Sequence, residues 1–176
     1  ALDGNLTSAA DNNTAVGHHA LLDNTTGTMN VALGTFALKS NTTGDLNVGI
    51  GMEALKANTT ADSNVAVGAF ALIANTTGEN NNAIGRFALG SNTTASNNTG
   101  LGHNALGANT TGDENVAVGV NVLDACTTGR ENSSIGHNSL GLLTTGEGNC
   151  AMGHDAGKDV TTGDNNVAVG INAGFV

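Results

Sequence analysis

Residues 64–78 read Asn64-Val65-Ala66-Val67-Gly68-Ala69-Phe70-Ala71-Leu72-Ile73-Ala74-Asn75-Thr76-Thr77-Gly78. The stretch opens with Val on either side of a small residue. That alternation is a strand pattern. The small residue is nearly always Ala or Gly, so something packs closely against that face. Seventeen residues on, the pattern starts again at Asn81. Gly recurs at 17, 34, 51, 68, 85, 102, 119, 136, 153 and 170, with no insertion anywhere. Four residues before each Gly stands Asn: Asn13, Asn30, Asn47, Asn64, Asn81, Asn98, Asn115, Asn132, Asn149 and Asn166. A large aliphatic residue or Met stands directly before each Gly. Ala-Leu follows in most copies, and then Asn-Thr-Thr-Gly.

A strict short period without insertions implies like coils stacked on one another. Two Gly per period and a Thr-Thr pair argue against continuous helix. Seventeen residues is also too short for a helix-turn-helix unit. The expected fold is all-β: a parallel β-solenoid, or β-roll, of about ten 17-residue coils. At about 4.8 Å per coil it would be a rod of roughly 50 Å. Residues 8–176 are read as a single repeat domain, and residues 1–7, which miss the consensus, as an entry segment. The last copies carry Ala156-Gly157 and Ala173-Gly174 in place of Ala-Leu, which predicts a change of cross-section. The chain stops in register at Gly174-Phe175-Val176 without a polar cap. It is therefore read as a fragment of a longer chain.

The composition fits such a fold and excludes others. The 176 residues include 26 Gly, no Pro, no Trp, no Tyr and 4 Phe. Charged residues are 11%, against about 25% in globular domains. Large apolar side chains are too few for a thick core, yet too regularly placed for disorder. The net charge is −10 with only five Lys and Arg, which argues against nucleic acid and against anionic membrane surfaces. No stretch approaches the roughly 20 apolar residues of a membrane span, so no membrane insertion is expected.

Two columns are assigned structural roles. The Asn column, Asn30 to Asn166, is expected to stack as an amide ladder along the axis and to accommodate a tight corner. The Leu column includes Leu38, Leu55, Leu72, Leu89 and Leu106; it fills the coil interior or forms an oligomer seam. One coil is expected to bury two Val-like residues and a Leu, each contributing about 1.5–3 kcal/mol. Ordering costs about 1–2 kcal/mol per residue in the backbone alone. A second buried surface between chains is therefore expected.

Asn64-Val65-Ala66-Val67-Gly68 and Asn115-Val116-Ala117-Val118-Gly119 resemble the head repeats of YadA-like trimeric autotransporter adhesins. Thr111-Gly112-Asp113-Glu114-Asn115 resembles the connection between copies in those heads. The repeat here is longer than is usual there. Its full form also resembles repeats of phage tail fibres and bacterial surface fibres. The resemblance covers about residues 8–176. It implies a left-handed β-roll, a side-by-side homotrimer, and a role in adhesion or host recognition. The implied setting is extracellular, on a bacterial surface or a virion tail fibre. The implied partner is a cell-surface glycan or protein.

The remaining polar columns offer candidate sites. His18, His103, His137 and His154 share the phase directly after the Gly. His137 and His154 lie on neighbouring coils, where stacked imidazoles could hold a metal. Other coils place Thr35, Met52, Ala69, Arg86, Val120 and Ile171 there, which favours a tolerant surface position. Asp11, Asp45, Asp62, Glu79, Asp113, Glu147 and Asp164 form an acidic column. Ca²⁺ or another cation could bridge it, but a solvated face that keeps the rod soluble is the simpler reading. No cofactor is expected. Thr25, Thr42, Thr59, Thr76, Thr93 and Thr110 begin the Thr-Thr pairs and are the candidate surface ladder. Such arrays on flat solenoids suggest ice binding as a rival function. Alternation would send one Thr of each pair outward and one inward. An Asn-x-Thr face could substitute for the missing column, but Cys126, Leu143 and Val160 interrupt its Asn.

The same Asn24, Asn41, Asn58, Asn75, Asn92 and Asn109 form N-T-T sequons, a by-product of the repeat. Cys126 and Cys150 lie at different phases and are read as small space-fillers without a bridge. Every polar group recurs, whereas catalysis needs one unique constellation; no enzyme is expected. The expected function is a structural or adhesive fibre domain. Ice binding and a purely structural extracellular filament are the alternatives.

Overall fold

In the computed structural model, residues 10–174 are described. The expected entry segment 1–7 lies outside them. Among the described residues there is no helix, and ten three-residue strands recur at 17-residue intervals from Thr14–Val16 (β1) to Val167–Val169 (β10). All pair in parallel with their sequence neighbours, in the order β1 to β10. The register never slips: Val48 faces Val65, Ala66 faces Ala83, and Ile135 faces Met152. The chain is a β-solenoid of about nine turns.

One coil shows why this sequence takes this path. In β4, Val65–Val67, the central Ala66 is fully buried while the flanking Val residues face outward. Gly68 then turns the chain at φ +133°, and a Cβ there would stand 2.7 Å from the Gly85 carbonyl carbon. Only Gly meets both conditions. Ala71 and Leu72 bring the chain back inward, both fully buried. Successive backbone donors then reach opposite neighbours: Phe70 N–H to Met52 O on one side, Leu72 N–H to Ala88 O on the other. This alternation requires left-handed backbone, at Phe70 (φ 64°) and Leu72 (φ 49°). Such angles cost a non-Gly residue about 1 kcal/mol or more. Stacking holds them, since each coil supplies the carbonyls that the next one needs.

The core is a line of Leu and Ala running along the axis, from Ala20 and Leu21 to Ala156 and Ala168. The Leu column is therefore interior and not a seam. The expectation that each coil buries two Val-like residues is overturned. Strand alternation turns the large aliphatics out and the Ala in, because the interior has no room beside Leu. At Gly49, a modest Cβ would already approach Leu38 Cγ to 3.2 Å. At Ala156-Gly157 the path continues unchanged. Gly157 takes the left-handed Leu position at φ +60°, and Leu140 Cδ2 fills the space where its side chain would start.

Asn ladders lie beside this apolar line, and both are buried over most of their length. The first is the predicted column, but its main bonds run through the backbone. Asn81 N–H donates to Asn64 Oδ1 at 2.9 Å, and Asn81 Nδ2 donates to Ala95 O at 2.8 Å. Amide-to-amide bonds are secondary, as for Asn81 Nδ2 to Asn64 Oδ1 at 3.2 Å. The Asn of Asn-Thr-Thr-Gly forms the second ladder, and here each Nδ2 donates both to the amide one coil back and to the carbonyl three residues on. Asn41 Nδ2 donates to Asn24 Oδ1 at 2.9 Å, and the series continues to Asn109. Cys126 ends it, leaving Asn109 Oδ1 buried without a hydrogen bond.

Candidate functional site

With the core accounted for, the outward columns are the surfaces on which function can reside. The sheet presents the first. Val16, Leu33, Ile50, Val67, Ile84, Leu101, Val118, Ile135, Met152 and Val169 occupy the last position of each strand in turn. Seven of these (Val16, Leu33, Ile84, Leu101, Ile135, Met152 and Val169) are 40% to 66% exposed. Parallel pairing sets them one above another in one apolar stripe. The first strand position lies on the same face and is mixed, with Val31, Val48, Val65 and Val116 beside Asn82, Thr99 and Ser133. Cys150 belongs to this column and is exposed, so it is not a space-filler; Cys126 is buried as expected. Burial pushes the Cys126 thiol up to about 11.

The Thr turn presents the second surface, and it departs from the alternation expected of it. The segment is not a strand. The first Thr of each pair is mostly half-buried, and its hydroxyl is used along the stack. Thr76 Oγ1 donates to Thr93 O at 3.0 Å, and Thr42, Thr59, Thr93 and Thr110 repeat the bond. Thr25 Oγ1 likewise donates to Thr42 O at 2.9 Å. The second Thr, as at Thr43, Thr77 and Thr111, is exposed. The Asn of the same motif is buried, so it supplies no second ice-facing column and no accessible sequon.

The acidic column is partly structural. Asp45 Oδ1 accepts the Thr28 N–H at 2.6 Å, and Asp62 Oδ1 accepts the Asp45 N–H at 2.7 Å. Asp113 and Asp164 cap Ser96 and Glu147 in the same way. These carboxylates fold back onto the preceding coil and spare a backbone donor. They are not simply a solvated face. Asp124, outside this column, has its carboxyl pushed up by desolvation.

The third surface follows each Gly. His137 and His154 stack as their phase predicts, with centroids 5.1 Å apart and planes 10° from parallel. Sequence reasoning missed Asp155 beside them. Its Oδ2 lies 3.2 Å from His154 Nδ1, and donor atoms of His137, His154 and Asp155 fall within 4.8 Å of one another. The available signal was a carboxylate next to a His whose neighbour coil also carries His. An aromatic cluster was missed as well. Phe70 and Phe87 stack at 4.9 Å, and the Arg86 guanidinium lies 4.5 Å from the Phe87 ring centre. His18 stacks on its chain neighbour His19 and not on another coil.

Among the described residues, no helix is long and apolar enough to cross a membrane. No protein-family model, no curated protein and no solved structure matches this chain.

Proposed function

We propose that this chain is a structural and adhesive fibre domain that works as a side-by-side homotrimer. The carrying observation is the unbroken stripe of aliphatic residues and Met from Val16 to Val169 on the parallel sheet. A rod with a fully buried Leu core gains nothing internally from this stripe. Exposed apolar surface of that length favours association, and a column that recurs on every coil suits a partner of the same period. The stripe replaces the Leu column as the seam. In this reading the polar columns remain outward and contact a cell-surface glycan or protein repeatedly, so that weak contacts add through multivalency. The setting is extracellular, on a bacterial surface or a phage tail fibre, and the role is non-catalytic.

Sedimentation velocity of the whole chain tests the seam. A species of about three times 17.3 kDa is expected. Paired substitutions Ile84→Glu and Leu101→Glu should shift it to monomer, whereas Thr94→Glu on the Thr turn should not. A wild-type monomer at micromolar concentration would overturn the reading. The exposed second-Thr column favours ice binding as the alternative. Thermal hysteresis that survives Ile84→Glu and is lost with Thr77→Lys would move the function there.

A further inference from the structure

The period explains nearly every polar group in this molecule, because each recurs at its own phase. The cluster at His137, His154 and Asp155 is an exception. His occupies the phase after Gly on two successive coils only here. The next phase carries Asp only at Asp155; other coils place Phe, Asn, Glu or His there. We propose that these three side chains form a binding site for a borderline divalent transition-metal ion, with Zn²⁺ as the reference case.

The geometry supports this in three ways. The imidazoles come from adjacent coils, stand parallel at 5.1 Å and are both exposed, so their ring edges reach solvent side by side. Asp155 Oδ2 lies 3.2 Å from His154 Nδ1. That contact places the carboxylate beside the second ring as the third donor of the cluster. Asp155 Oδ1 is buried and accepts no hydrogen bond, and Lys158 Nζ forms only a long ion pair with it at 3.9 Å. An ion near the carboxylate would supply the missing partner.

The donors lie within 4.8 Å of one another. A tetrahedral ion with bonds of about 2.0–2.2 Å brings its ligand atoms to roughly 3.3 Å apart. Both His side chains are exposed, so rotation about their side-chain bonds can turn the two rings out of parallel and close that gap without moving the coils. Two imidazoles and a carboxylate suit zinc, nickel or copper. They do not suit calcium, which takes six to eight oxygen ligands. Water completes the coordination.

Equilibrium dialysis of the whole chain against ZnCl₂ in a non-coordinating buffer, with calcium in excess to occupy carboxylate-only sites, tests the proposal. One zinc per chain is expected. His137→Ala and His154→Ala should each weaken binding at least about tenfold, and Asp155→Asn by about tenfold. His103→Ala and the pair His18→Ala with His19→Ala should leave it unchanged. Circular dichroism of each variant confirms the fold, which exposed His residues do not support. Absence of calcium-resistant zinc binding, or binding that survives His137→Ala in a folded chain, would overturn the site.

Discussion

Asn81 ties three coils together. Its N–H is bonded to Asn64 Oδ1 behind it, its Nδ2 to Ala95 O ahead, and its Oδ1 accepts the Asn98 N–H at 3.0 Å. Truncation leaves a buried donor and a buried carbonyl unpaired, at about 1–3 kcal/mol each. Asn81→Ala should therefore destabilise the chain by about 3 kcal/mol, read as a fall in the urea midpoint. Exchange of the Asn98 amide should accelerate more than that of Asn30. Equal exchange at the two sites would show that the column is only a corner preference. The Asn period was plain in the sequence, and a structural role followed from it. Its bonding was not legible, because a stacked amide can bond to its like or to a passing backbone, and only the distance between coils decides. The second ladder was harder still. Asn-Thr-Thr reads as a surface turn, and nothing in the composition says that Asn75 turns inward while Thr77 turns out.

At the scale of one strand, the alternation of Val65-Ala66-Val67 was legible but its sense was not. Hydrophobic-in is the usual expectation, and here it fails because Leu72 occupies the interior and leaves space only for Ala. This inverts the usual mutational logic. Ala83→Val, a small hydrophobic gain by size, should overpack the core and destabilise by about 1–3 kcal/mol. Val65→Ala, normally a cavity mutation, should cost well under 1 kcal/mol in an isolated monomer. Chemical denaturation of the two variants side by side measures this. A larger loss for Val65→Ala in a confirmed monomer would refute the inverted core. Strand content, coil length and parallel order were legible from the period alone, since a fixed repeat leaves only one register. Asp155 was missed because the His column was read down one phase alone, and the carboxylate stands at the next phase beside His154.

Across the molecule, every pairing joins a residue to the one seventeen further on. Removing residues 64–80 would join Ser63 to Asn81 and hand the partners of β4 directly to each other. The shortened chain should fold with unchanged strand signal and a rod about 4.8 Å shorter by small-angle scattering. Removing residues 64–79 instead should shift all later side chains out of register and abolish the fold beyond the cut. Equal behaviour of the two deletions would contradict a register set by stacking. The uniform coil also has a genetic meaning. Each turn corresponds to one in-frame unit of seventeen codons. A whole unit gained or lost preserves every column, so an in-frame insertion or deletion of this size would change the length of the rod without changing its cross-section.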